Sequence, residues 1–299
     1  MIHRFHRFAQ IESGVVRRAP TQRICGNLRN LWIVLFCLFA SGSDATAERQ
    51  APADRASGKD APQPYDETVP NSTVKFAMRP VTVTSDAGEA RVLWVAETET
   101  TWDAYDVFAL RLDENADNVA AAGAEGPDAI TRPTQPYAPA DRGWGHGGFP
   151  VISVTHNAAA KYCEWLTEKT GRTYRLPTAA EWRAAAAAEQ ETAPPEERGW
   201  FAANAEETTH PVAKKRPNAN GLYDTVGNVA EWCVGENGKP LVLGGSFLTP
   251  AAELDRAVRD GERQTREWTK GDPSFPPSKW WFRNAPFAGF RVVCEAPPR

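Results

Sequence analysis

Apolar and polar positions change their spacing several times along this chain, and each spacing predicts a different element. Residues 73–101, "TVKFAMRPVTVTSDAGEARVLWVAETETT", alternate apolar with polar residues around turns, the period of strands. In "TTWDAYDVFALRLDE", Trp102, Tyr105 and Ala109 fall at i, i+3 and i+7 with Phe108 beside them, which predicts a helix. Residues 113–149 are rich in Gly, Pro, Ala and Asp and read as one long loop. A second helix is expected from about His156 to Thr170. Its apolar face is Ala159, Cys163 and Leu166, with Tyr162 at the edge and Gly171 as the residue that ends it. A third opens at "PTAAEW", where Thr178 and Glu181 have capping-box spacing, and its alanine run continues to Ala188. After residue 190 the periodicity fades into short apolar strands, "LVLGGSF" and "GFRVVC", between long polar loops. No internal repeat is visible, and the basic triplet Lys214–Arg216 reads as a solvated loop.

The amino-terminal part differs. The first 30 residues carry Arg4, Arg7, Arg17, Arg18, Arg23 and Arg29 against Glu12 alone, and the apolar run Leu31–Ala40 follows. A helix of that run would rise about 15 Å, half of a bilayer core of roughly 30 Å. With Ala45 and Ala47 in "ATA" behind it, residues 1–47 read as a cleaved secretory signal. The mature protein is then exported, periplasmic or extracellular, with no stable membrane span. Residues 48–72, rich in Pro, Ala and charge, read as a disordered linker, and 73–299 as the folded domain.

Composition narrows the classes. The net charge is −4 and the pI about 5.8, so no electrostatic footprint for nucleic acid is present. A hydrophobic content of 41% supports a core, and 11 Trp suit a loop-rich domain better than a simple helical bundle. Export leaves Cys163, Cys233 and Cys294, enough for one disulfide and one leftover thiol. The mature chain has only His146, His156 and His210, and it lacks HExxH, CxxC, a phosphate-cradling glycine loop and a GxSxG elbow. One stretch stands out: "GLYDTVGNVAEWC", residues 221–233, sets the oxygen-bearing side chains of Asp224, Asn228 and Glu231 among apolar neighbours. A loop around a hard cation and a capped turn both accommodate it. The pair Trp280 and Trp281 is open in the same way, between core packing and an aromatic ligand platform.

Several stretches, in order, resemble the formylglycine-generating enzyme (sulfatase-modifying factor) family. They are "AETETTWDAYDVF", "SVTHNAAAKYCEWL", "GRTYRLPTAAEWRAAA", "NANGLYDTVGNVAEWC", "LVLGGSF" and "AGFRVVC". The resemblance implies an α+β domain related to C-type lectins, with little regular secondary structure and long loops. It implies a structural calcium ion held by Asp224, Gly227, Val229 and Glu231. It also implies a disulfide between Cys163 on the helix and Cys294 on the last strand. The family's cysteine directly follows "GFR" and this one stands two residues later, which keeps it on the same strand face. Cys233 is then a buried free thiol. Family enzymes oxidise a protein cysteine using Cu(I) held by two cysteines after the "GGS" strand. Here Thr249 and Leu254 occupy those positions, and neither a hydroxyl nor an isobutyl group serves as a Cu(I) ligand. The expected protein is therefore a non-catalytic scaffold or a module binding a protein, peptide or glycan, with calcium and without copper. An oxidoreductase of the family type, or other chemistry in the same groove, is the alternative.

Overall fold

The protein is described by a computed structural model covering residues 61–69, 71–84, 90–114, 132–187 and 193–296. The expected signal segment and most of the expected linker lie outside these residues. Among the described residues the strands form two sheets. The larger joins β1 (Tyr65–Thr68), β2 (Lys75–Thr84), β3 (Ala90–Ala96), β4 (Tyr174–Arg175) and β8 (Val293–Cys294) in the order β1-β2-β3-β8-β4. Its backbone is the long antiparallel pair of β2 and β3, in which Met78 faces Ala96 and Val81 faces Leu93. The smaller sheet has the order β6-β5-β7, with β5 (Ala230–Val234), β6 (Pro240–Leu243) and β7 (Ala288–Gly289). β5 runs antiparallel to β6 and parallel to β7.

The helices begin where their capping chemistry places them. α1 (Trp102–Ala109) starts after Thr101, whose side chain accepts from the Ala104 amide. α2 (His156–Thr170) starts after Thr155 in the same way and ends at Gly171, which takes φ 68°. α3 (Ala179–Ala186) has the full capping box of Thr178 and Glu181. α4 (Pro195–Arg198) is a single turn, and α5 (Leu254–Arg259) follows a short 3-10 turn at Ala251–Glu253.

The apolar stripes of α1 and α2 meet in the main core. Tyr105 stacks on Tyr162 at 5.8 Å, and Phe290 closes edge-on against both rings. Ring stacking and area burial together make such clusters the firmest part of a core. Most of the polypeptide outside these elements is loop.

The domain begins earlier than its hydrophobic pattern suggests. Residues 65–68 fall in the stretch read as linker, yet they form β1 and pair with β2 from Tyr65↔Met78 to Thr68↔Lys75. Glu67 anchors the strand: it is 3% exposed and accepts from Arg172 and from the Tyr174 hydroxyl. Backbone pairing and one buried carboxylate hold this strand, and neither leaves an apolar period to read.

The expected disulfide is absent. Cys163, Cys233 and Cys294 are all buried free thiols. Cys163 does sit on the apolar face of α2 and Cys294 on β8, as the pattern requires. The Cys294 thiol instead donates to the Ala296 carbonyl at 3.1 Å. Sharing a face settles the direction of a side chain and leaves its distance from a partner open.

Candidate functional site

The stretch 221–233 folds as a tight turn that feeds β5. Asp224, Gly227 and Asn228 all take positive φ, at 54°, 80° and 54°. The turn packs directly on the segment around Trp200, and a Cβ on Gly227 would lie 2.0 Å from the Trp200 carbonyl oxygen. Only glycine allows that approach.

From this turn two buried polar clusters extend. In the first, Asn228 donates its side-chain amide to Glu99 at 2.6 Å and accepts from the His210 amide at 3.0 Å. The other oxygen of Glu99 accepts from the Val229 amide at 2.9 Å. In the second, Glu231 is held by Arg291 through Nε at 2.6 Å and a terminal nitrogen at 2.5 Å, and by the Trp182 indole at 2.6 Å. The remaining guanidinium hydrogens go to the carbonyls of Ala96 at 3.0 Å, Glu97 at 3.3 Å and Tyr223 at 2.8 Å. Every donor direction of the arginine fork is used. Arg291 therefore ties β5, the end of β3 and the turn into one unit.

The charges do not balance. Glu99, Asp224 and Glu231 are 1%, 2% and 0% exposed, and Arg291 is the guanidinium among them at 1%. Burial, then the charges of Asp224 and Glu231, push the Glu99 carboxyl well above its ordinary value. Burial likewise pushes Asp224 up, to about 6. One Asp224 oxygen accepts from the Ala213 amide at 2.8 Å, while Oδ1 is buried with no partner.

These residues do not fit the expected calcium ion. The orphaned Asp224 Oδ1 would suit a cation, but both Glu231 oxygens are occupied by Arg291 and Trp182. The guanidinium supplies beside Glu231 the positive charge that an ion would otherwise supply, and a dication next to it would be repelled. Among the described residues no group of three or more His, Cys, Asp or Glu side chains could hold a metal. Of the residues expected to hold calcium, Asp224, Gly227, Val229 and Glu231, the last is engaged in an ion pair with Arg291. The sequence motif is an internal polar lock. Its partners Glu99, Trp182 and Arg291 carried no assigned role in the sequence reading, although each lies in a stretch that resembles the family.

The groove beside the "GGS" strand is formed by the turn after β6 and by α5. A cavity of about 480 Å³ opens there, lined by Ser246, Thr249, Glu253, Arg256, Glu262 and Phe287 among others. The Thr249 hydroxyl accepts from the Ser246 amide at 2.8 Å, so it closes the local turn. Leu254 is buried at 4% exposure at the start of α5 and faces away from solvent. No cysteine lines the groove. Burial pushes the thiols of Cys163 and Cys233 up, away from the thiolate form that binds soft metals. The Trp pair resolves as core: Trp280 is 2% and Trp281 8% exposed, and the Trp281 indole donates to the Thr134 carbonyl at 2.8 Å. One edge of Trp281 still lines a cavity.

Comparison with known proteins places this architecture. The family model for the sulfatase-modifying factor enzyme 1-like domain matches residues 54–296, and the chain belongs to that family. A stretch of 109 residues is 35% identical to the formylglycine-generating enzyme of Streptomyces coelicolor, covering 30% of this chain and 33% of that enzyme. A stretch of 97 residues is 41% identical to the serine/threonine-protein kinase pkn1 of Chlamydia pneumoniae, covering 30% of this chain and 14% of the kinase. The matched stretch thus spans a third or less of these curated relatives. The solved structure of Treponema denticola variable protein 1 superposes with a TM-score of 0.54 at 20% identity, over 79% of this chain and 100% of that one, a likeness of fold.

Proposed function

We propose that the chain is an exported, non-catalytic member of its family, a binding domain whose groove at Thr249 receives a peptide, glycan or partner protein. The observation that carries this reading is the content of the two thiolate positions. Thr249 spends its hydroxyl on the Ser246 amide and Leu254 is buried at the start of α5. Cu(I) chemistry needs soft sulfur ligands, and the groove offers oxygen and nitrogen donors from Ser246, Glu253 and Arg256. Arg256 and Glu253 pair at 2.6 Å on its rim and give it a polar lip suited to hydrogen-bonded ligands. Export rests on the basic segment, the short apolar run and "ATA", and places the mature amino terminus at Glu48. Metal analysis of the purified mature protein tests the central point. It should contain neither copper nor iron in stoichiometric amount, and one copper per chain would overturn the reading.

A further inference from the structure

A second cavity, of about 790 Å³, lies between the loop 132–143 and the loop 272–284, apart from the groove at Thr249. Its volume is that of a site for a small organic molecule. Two guanidinium groups line it, Arg142 and Arg283. Arg142 lies over the Trp144 ring at 5.9 Å and donates to the Arg283 main-chain carbonyl. Among the described residues neither arginine forms an ion pair with a carboxylate. Partial burial, and after it the charge of Arg283, push the Arg142 guanidinium below its ordinary value, so the two like charges feel each other. Gly271, at φ +73°, leaves room beside Arg283, whose Nε would stand 3.5 Å from a Cβ there.

Two acids share the lining, and both are committed elsewhere. Asp272 accepts from the amides of Ser274 at 2.8 Å and Ser278 at 3.1 Å. Asp141 accepts from the Gly143 amide at 3.0 Å and meets His146 Nδ1 at 3.0 Å. An incoming anion would therefore be held by short bonds from the arginines and not by a broad positive field.

The decisive feature is Ser153. It is 3% exposed, lines this cavity, and its hydroxyl has no hydrogen-bond partner. Its backbone is held at φ 62°, a conformation serine rarely takes. A buried hydroxyl without a partner costs free energy, and a residue kept in an unfavourable conformation points to a role that compensates. Trp281, whose indole nitrogen is already bonded to Thr134, offers only its ring to this space.

We propose that this cavity is a binding site for a small organic oxyanion, with Arg142 and Arg283 on the charged oxygens, Ser153 donating from the wall and Trp281 against the apolar body. Carboxylate, sulfate and phosphate share this chemistry, and the test separates them. The full-length purified protein is titrated calorimetrically, in low salt, with sodium benzoate, sodium phenyl sulfate and sodium phenyl phosphate in turn. Saturable binding of at least one is expected, and the one that binds identifies the source. Arg142→Gln with Arg283→Gln alters two exposed side chains, so its melting curve should match the wild type while affinity falls at least tenfold. Ser153→Gly relieves the backbone conformation and deletes the hydroxyl, and it should weaken binding severalfold without lowering the melting temperature. Thr249→Ala, in the other groove, should leave binding unchanged, so failure here is separate from failure of the proposed function. Absence of saturable binding with all three anions, or a double arginine variant within twofold of the wild type, would overturn the proposal.

Discussion

Replacing Arg291 by Met keeps much of the side-chain volume and removes the guanidinium from the polar lock. Glu231 would lose both of its arginine bonds, at 2.6 and 2.5 Å, and keep only the Trp182 indole. The carbonyls of Ala96 and Tyr223 would lose their donor as well. Removing one partner of a buried ion pair costs about 3–5 kcal/mol. In a domain of this size each kcal/mol moves the melting temperature by about 2–4 °C, so the variant should melt roughly 6–20 °C lower near pH 8. Thermal melts of wild type and variant at pH 8, followed by circular dichroism, read the effect. A difference below about 2 °C would refute the lock.

Three further outcomes follow from the same geometry. Burial raises the Asp224 carboxyl from 3.8 to about 6, and at about 1.4 kcal/mol per pH unit this amounts to about 3 kcal/mol, present below pH 4 and lost as pH rises through 6. Asp224→Asn should flatten the dependence of unfolding free energy on pH across that window, and an unchanged slope in denaturant melts would contradict the assignment. Because Arg291 occupies Glu231, melting temperatures in calcium and in chelator should agree, whereas a rise of several degrees in calcium would restore the ion-loop reading. Thr249→Cys with Leu254→Cys should create Cu(I) binding, measured by competition with a chromogenic chelator, and a folded double variant that binds none would show these are not the thiolate positions.

Local chemistry made much of the fold readable. The bounds of α2 and the capping box of α3 follow from side chains within three or four residues of the backbone they satisfy, and the resemblance to the family supplied the α+β class but not the sheet order. Long-range chemistry was hidden. Glu99 reaches Asn228 across 129 positions and Arg291 reaches Glu231 across 60, so neither partner is marked by spacing. Oxygen-rich residues beside apolar ones fitted a cation loop and a turn, and the ion pair of Arg291 with Glu231 left no mark in the spacing. β1 was missed because Glu67 and main-chain pairing hold it. The resemblance to the family suggested the Cys163–Cys294 bond and strand parity allowed it, but parity carries no distance.

The proposed function is that a domain of this family with Thr249 and Leu254 at the two thiolate positions binds without converting. The direct measurement is mass spectrometry of a sulfatase-type cysteine peptide incubated with the mature protein, Cu(I) and oxygen. The peptide should keep its thiol and its mass, as in a control without protein. Aldehyde formed above that control, with turnover, would contradict the claim.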